Sequence, residues 1–158
     1  MKEIKLSQFG KKRSLNLVAL VDDEDYHFVN QIKWYADKRS GRFYARHGQL
    51  HLHRYILCVT DEKIMVDHID GDALNNQKSN LRKATRSQNG ANRIKKTVTS
   101  SQYVGVSFHR VTNKWMANIR KDKKLRFLGR FENETDAALA YNKAAVEVHG
   151  EFASLNKF

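Results

Sequence analysis

The chain has 158 residues, 41% of them hydrophobic and 10% aromatic, with a formal net charge of +12. That length suits one ordinary domain or two small ones, and the apolar content excludes a disordered tail. So large a basic excess points to a polyanionic partner, phosphate backbones first, because each neutralised phosphate releases condensed counterions.

The charge is uneven. Residues 81–130 hold fourteen Lys or Arg and one acid, Asp122, against thirteen and eleven in residues 1–80 and two and five in 131–158. One stretch therefore carries nearly all the excess, as a binding stripe does. The single cysteine, Cys58, excludes an internal disulfide and a Cys-based zinc ribbon. It sits in the apolar run Tyr55-Ile56-Leu57-Cys58-Val59, which predicts a buried, inert thiol. With no N-terminal apolar segment and no run of transmembrane length, a soluble, cytoplasmic protein without membrane partners is expected.

In chain order, Leu15 to Val21 reads as a strand, followed by the acidic run Asp22-Asp23-Glu24-Asp25. Ser40-Gly41 has the composition of a hairpin turn, and Phe43-Tyr44-Ala45-Arg46 alternates behind it. Leu50 to Val59 predicts a short helix with Leu52, Tyr55, Ile56 and Val59 on one face, and Trp34 anchors this small core. Ile64-Met65-Val66 reads as a strand ending at Asp67-His68. A loop rich in Asp, Gly and Asn follows to Asn80, then a strand from Leu81 to Ala84. Thr85 is placed to cap a helix from Arg86 to about Asn92. Residues 94–102 read as a basic linker, or equally as a strap along a DNA groove.

Beyond Tyr103 the pattern changes to period two. Val104-Val106-Phe108, then Trp115-Ala117-Ile119, then a run from Leu125 to Arg130 predict a three-stranded antiparallel meander. A helix follows, begun by Asn133 with Asp136 three residues on. Its stripe is Ala137, Ala140, Tyr141, Ala144 and Val148, and Gly150 stops it. The small alanines allow a close approach to the sheet.

Phosphodiester hydrolysis needs a base for water, a cation for the phosphate and leaving oxygen, and a means of holding the base in line. Asp67, His68, Asn80 and Asn89 are able to supply these. Adjacent residues on a strand point to opposite faces, so one of Asp67 and His68 can bind metal while the other faces water. Asn89, from the helix, can meet Asp67, and Asn80 can fix the His68 ring. Oxygen ligands suit Mg²⁺ or Mn²⁺ rather than zinc. Asp70 and Asp72 read as loop-shaping residues, and Arg82, Lys83 and Arg86 as phosphate clamps.

The run Val66-Asp67-His68-Ile69-Asp70-Gly71-Asp72, Asn75-Asn76, Asn80-Leu81-Arg82, Asn89 and Asn92 closely resembles H-N-H endonucleases of phage and homing type. The resemblance covers about His53 to Arg93. It implies the ββα-metal fold, with His68 as general base, Asp67 and Asn89 holding the metal, and Asn80 orienting the histidine. Asn89 stands where some branches have a third histidine, an H-N-N variant. His53-Arg54 resembles an upstream pair of related nucleases, read as a packing or phosphate contact. His27, His47, His51 and His149 carry no assignment. Tyr103 to Asn156 looks like the APETALA2-type domain of plant ethylene-response factors. That resemblance implies DNA binding through the open sheet face. Ser107, His109, Asn118 and Arg120 lie on that face by alternation, Phe127 and Arg130 match family DNA-face positions, and Arg126 flanks it. Ser107, His109, Asn118 and Phe127 depart from the plant residues, so the plant target sequence does not carry over.

The expectation is an α+β protein. Residues 1–93 hold the nuclease module with its motif core at 64–93, residues 94–102 are the linker, and residues 103–158 form a three-stranded sheet packed on one helix. It is read as a metal-dependent endonuclease acting on double-stranded DNA, of phage or bacterial host, with Arg93, Lys95 and Lys96 adding DNA contacts. The alternative is a catalytically inactive DNA-binding regulator with a relict nuclease fold. Nothing in the sequence separates monomer from homodimer.

Overall fold

A computed structural model describes residues 1–7, 16–92, 100–122 and 124–158. The chain is a mixed α/β protein with four small antiparallel sheets among these residues. It forms two compact units, Met1–Thr85 and Arg86–Phe158. That division falls earlier than the expected boundary at Arg93. Among the described residues no helix is long and apolar enough to cross a membrane.

In the first unit, β1 (Lys2–Lys5) pairs antiparallel with β2 (Val18–Val21), so Ile4 and Ala19 face each other in the core. The acidic run then opens α1 (Asp23–Val29), where three carboxylates in the first turn suit the positive end of the helix dipole. Strands β3 (Tyr35–Arg39), β4 (Arg42–His47) and β5 (Leu50–His51) form a second sheet. Its β3–β4 turn is Ser40-Gly41, with φ of 49° and 81°, the two positive values a tight two-residue hairpin needs. Trp34, Leu52, Val21 and Val29 are fully buried, and the Trp34 indole donates to the Val29 carbonyl at 2.9 Å. Trp34 thus anchors the core as expected.

The predicted helix after Leu50 is shorter: β5 takes its first residues, and α2 spans Leu52–Ile56. Its end corrects the reading of Cys58, which is exposed rather than buried. The Cys58 amide donates to the Tyr55 carbonyl and the Val59 amide to the Arg54 carbonyl. With φ of 50°, Cys58 occupies the left-handed position of a Schellman helix end, where glycine is usual. The apolar run bends outward there, and Val59 returns to the interior.

Strands β6 (Met65–His68) and β7 (Leu81–Ala84) pair with Asp67 opposite Arg82 and His68 opposite Leu81. Both strands match the sequence reading to within a residue. Leu81 belongs to the Trp34 core, so the hairpin is pinned from below. A buried leucine contributes roughly 1.5–3 kcal/mol relative to its exposed state.

The second unit begins with the short helix α3 (Arg86–Ala91), close to its expected span. Strands β8 (Val106–His109), β9 (Lys114–Lys121) and β10 (Lys124–Phe131) then form the predicted meander in the order β10-β9-β8. Asn113 and Asp122 take positive φ at its two turns. Helix α4 (Glu134–His149) buries Ala137, Ala138, Tyr141, Ala144 and Ala145 against the sheet. The packing is tight enough that a β-carbon on Gly105 would overlap the Tyr141 ring and lie 2.6 Å from the Asn118 carbonyl oxygen. Alanines on α4 and glycine at 105 thus set the helix–sheet distance. Asn133 precedes α4, and its amide donates to Asp136 at 3.1 Å rather than capping the backbone.

Candidate active site and nucleic-acid interface

Alternation along β6 sends Asp67 and His68 to opposite faces, and the hairpin register gives each a different partner. Asp67 lies with Arg82, whose Nε and Nη2 reach its Oδ2 at 3.0 and 2.8 Å. Both side chains are largely buried. Arg82, expected to clamp phosphate, is here spent on orienting the carboxylate.

His68 lies on the other face, among rings. Its imidazole meets His53 edge-on with centroids 5.2 Å apart and Tyr44 at 6.3 Å, while His51 stacks on His53 at 5.3 Å. Burial lowers the His68 pKa; the Asn76 hydrogen bond and the Asp70, Asp67 and Asp72 charges partly oppose it. Burial also pushes His53 down to about 3, with His68, His51 and Arg54 adding to the effect. The neutral imidazole is therefore the resident form near neutral pH, the form a general base requires.

Asn76 is the site residue that the sequence reading left without a role. It is fully buried, its Oδ1 lies 3.5 Å from His68 Nε2, and its Nδ2 donates to the Leu74 carbonyl at 2.9 Å. An amide oxygen facing Nε2 favours the tautomer protonated there, in which Nδ1 is the basic nitrogen of the neutral ring. Asn80 does a different job from the expected contact with His68. Its Nδ2 donates to Asp70 Oδ1 and the Asn75 carbonyl, and its Oδ1 accepts from the Asp70 amide. Its carbonyl also accepts from Ile69, next to His68. Asn80 thus closes the loop that β6 and β7 subtend, and acts on His68 through the backbone. Asp70 and Asp72 shape this loop as expected, each accepting the amide two residues on.

The loop is also held from a distance. Asp22 accepts from the Lys78 amide at 2.8 Å and from Gln77, and the Lys78 ammonium meets Glu24 and Asp25. Strand β2 bonds the same loop through Leu20 to Leu74 and Asn76. Arg54 donates to the Ile64 and Asp61 carbonyls and so fixes the turn before β6. The pair His53-Arg54 is therefore a packing element. Doublets such as Asn75-Asn76 and His51-His53 were the available signals; what they lacked was a partner visible in sequence.

Among the described residues no cluster of three His, Cys, Asp or Glu side chains is placed to hold a metal. The donor that the hairpin offers is the Asp67 carboxylate, a hard oxygen ligand that suits a divalent cation keeping several waters rather than structural zinc. Lys83 and Arg86 are exposed, and Asn89 lies half-buried on α3 in the second unit. Arg93, Lys95 and Lys96 lie outside the described residues.

In the second unit the sheet sorts its residues as alternation predicts. Ala117 and Ile119 are buried under α4, and Trp115 packs there with Phe108 and Phe131. The cross-strand pairs Ser107–Met116, His109–Lys114, Asn118–Phe127 and Met116–Arg130 occupy the open face, which Arg120 shares. Phe127 is 54% exposed, and the Arg130 guanidinium lies 5.8 Å from its ring centroid. Arg126 is exposed but pairs with Ile119, so it belongs to the edge of the helix-side ladder rather than to the open face.

Comparison with known proteins adds a family to this geometry. Residues 60–91 match the model of an HNH endonuclease family. Over 151 residues the chain is 35% identical to an uncharacterized HNH endonuclease of Acanthamoeba polyphaga mimivirus, covering 92% of this chain and 78% of that protein. A 57-residue portion, 36% of this chain, is 44% identical to an AP2-like ethylene-responsive transcription factor of Arabidopsis thaliana and 42% identical to an APETALA2-like protein of Oryza sativa subsp. indica. It spans 12% and 13% of those two proteins. A match that runs through both units and includes the Asp67-His68 hairpin places the whole chain: it belongs to the HNH endonucleases.

Proposed function

We propose that this nuclease is a metal-dependent DNA endonuclease of the ββα-metal type, with His68 as general base and the second unit as its DNA-positioning module. The observation that carries the reading is the His68 ring, buried, neutral and held at Nε2 by Asn76, one residue from a buried carboxylate. Nδ1 takes the proton of the attacking water, and the imidazolium so formed is stabilised by Asp70, Asp67 and Asp72. Asn80 keeps the loop, and with it the ring, from drifting between turnovers. Asp67, with Asn89 as the second ligand by family resemblance, would hold Mg²⁺ or Mn²⁺. Such a cation supplies charge neutralisation at the phosphate and the leaving oxygen. Arg82 orients the Asp67 carboxylate for that task.

Binding and chemistry are divided. Lys83 contacts phosphate near the hairpin, and Arg86, Arg93, Lys95 and Lys96 add further phosphate contacts. The open face of β8–β10, with Ser107, His109, Asn118, Arg120, Phe127 and Arg130, enters the major groove of duplex DNA and supplies sequence preference. Arg126 contributes charge at the sheet edge. The test is cleavage of supercoiled plasmid with and without Mg²⁺ or Mn²⁺ by wild type and His68→Ala. Metal-dependent cutting that the variant lacks supports the reading. DNA retardation by both proteins with no cutting by either returns the chain to a binding-only role.

A further inference from the structure

The sheet β3–β4–β5 has one face in the core, through Ala36 and Ala45. Its other face carries the register pairs Tyr35–Arg46, Asp37–Tyr44 and Arg39–Arg42, and the Arg46–His51 pair across to β5. Three guanidiniums thus share a face with one carboxylate, Asp37, which meets Arg39 at 2.7 Å and Arg46 at 3.7 Å. Along β4, Arg42, Tyr44 and Arg46 succeed one another on this face, roughly 7 Å apart. Tyr44 is the link to the chemistry, because its ring contacts both His53 and His68. Two buried polar atoms here, Arg46 Nε and His51 Nδ1, have no hydrogen-bond partner among the described residues, although Arg46 Nε keeps its longer ion pair with Asp37. Unsatisfied buried groups of this kind are uncommon, and here they sit on a positively charged face beside the catalytic ring.

We infer that this face is a second DNA surface, on which Arg39, Arg42 and Arg46 track the phosphodiester backbone of the duplex beside the scissile phosphate. The inference rests on the nuclease reading, because His68 is what makes this face lead to a reacting bond. Arg39 and Arg42 flank the Ser40-Gly41 turn at the hairpin tip, Arg39 exposed and Arg42 half-buried. Arg46 lies deeper, between the tip and His51. Burial lowers the His51 pKa, and the nearby Arg39 and Arg46 charges add to the effect. Asp37 does not cancel the patch. One carboxylate against three guanidiniums orients two of them and leaves a net positive strip. Phosphate contacts of this type position the duplex and carry no sequence information, which complements the open sheet of the second unit.

The experiment measures binding of the full chain to a non-specific 40-base-pair duplex by fluorescence anisotropy, in metal-free buffer, as salt is varied. The double variant Arg39→Gln/Arg42→Gln is compared with wild type and with Arg39→Lys/Arg42→Lys; Arg46→Gln is added if it melts like wild type. Each lost phosphate contact reduces the slope of log affinity against log salt by about 0.9. The Gln double variant is expected to lose about 1–2 from the slope, and the Lys variant to keep it. In cleavage assays the same loss raises KM more than it lowers kcat. An unchanged slope in the Gln variant, with the fold intact by thermal melting, overturns the inference whatever KM does. Absence of metal-dependent cutting by wild type would instead sink the nuclease reading, and the salt slope would still report on this surface.

Discussion

The two three-stranded sheets make an instructive pair. Each buries one face and opens the other, and each open face mixes arginine with an aromatic ring: Arg42 and Tyr44 in the first unit, Arg130 and Phe127 in the second. Their interiors differ. Beneath β8–β10 lies a helix of alanines, with Gly105 admitting Tyr141, and the buried contacts are mostly apolar. The first unit also buries Asp67, His68, Asn76 and Asn80 beside its Trp34 core. A polar interior is costly unless every group is satisfied. The Asn80 bonds, the Asx turns and the Asp22–Lys78 clamp meet that requirement for the loop, while Asp25 Oδ2, Arg46 Nε and His51 Nδ1 stay without a hydrogen bond among the described residues. One unit spends its sequence on holding a helix against a sheet, the other on holding an imidazole still.

The sharpest way to break the comparison is to remove chemistry from one unit and binding from the other. His68→Ala should lower single-turnover cleavage by about 10²–10⁴-fold and leave DNA affinity near wild type. Arg130→Ala should do the reverse, weakening binding by roughly 1–3 kcal/mol with kcat preserved at saturating enzyme. If His68→Ala weakens binding as much as cleavage, the ring is structural and the division of labour fails. The next effect is on stability. Asn80→Ala leaves the Asp70 amide and Asn75 carbonyl without their partners, at a cost of about 1–3 kcal/mol for each such group. Gly105→Ala forces the Tyr141 ring away from the sheet at a residue with φ of 74°, and overpacking of this kind costs about 1–3 kcal/mol. Trp34 lies in the first unit and Trp115 in the second. Single-tryptophan forms should therefore show each substitution lowering the midpoint of its own unit alone.

The sequence was most legible where a local pattern decides the structure. Trp115, Ala117 and Ile119 alternate, the α4 stripe repeats at helical spacing, and both hairpin strands of the motif carry buried residues between turn signals. The family pattern drew attention to Asp67 and His68, but not to what surrounds them. Asp22 to Asp25 stood out in the sequence only as an acidic run without a role, because the Gln77 and Lys78 groups they hold lie 55 and 56 residues away from Asp22. No local pattern encodes such a pairing. Asn80 was expected to touch His68, yet its amide closes the loop; both roles suit a buried asparagine, and only the backbone path chooses between them. Cys58 failed for a related reason. Its neighbours are apolar, but a helix end needs one left-handed residue, and that need overrode hydropathy.

Acid should separate the units by a smaller margin. Burial holds His53 at about 3, and also lowers His51 and His68. Between pH 6.5 and about 3 the unfolded chain takes up a proton on His53 that the native ring refuses. The unfolded state then binds more protons, so stability falls as pH falls through that window. Above pH 6.5 the effect is absent. For one such histidine the loss is at most roughly 1.4 kcal/mol per pH unit. Urea midpoints read at Trp34 should drop from pH 7 to pH 5 by more than those read at Trp115, and His53→Gln should flatten the Trp34 trend. Equal drops at both tryptophans would mean that the histidine cluster does not govern the acid response.

The smallest test uses two helix ends. Helix α2 ends on Cys58 at φ 50°, helix α4 on Gly150 at φ 55° and ψ −130°. A side chain in the left-handed position of Cys58 costs about 1–2 kcal/mol, which glycine avoids, and the Gly150 conformation lies outside the left-handed helical well and is costlier still for a side chain. Cys58 is exposed, so replacing its thiol forfeits little packing. Cys58→Gly should therefore raise the first unit's stability by about 1 kcal/mol, less the entropy that an added glycine gives the unfolded chain. Gly150→Ala should lower the second unit's stability by at least as much, and through the backbone alone, because a β-carbon at 150 meets nothing within 4 Å. Opposite signs from the two substitutions would show that helix-end strain is tolerated in the first unit and relieved in the second. A destabilised Cys58→Gly would mean that the thiol contributes contacts that outweigh the strain of its own backbone.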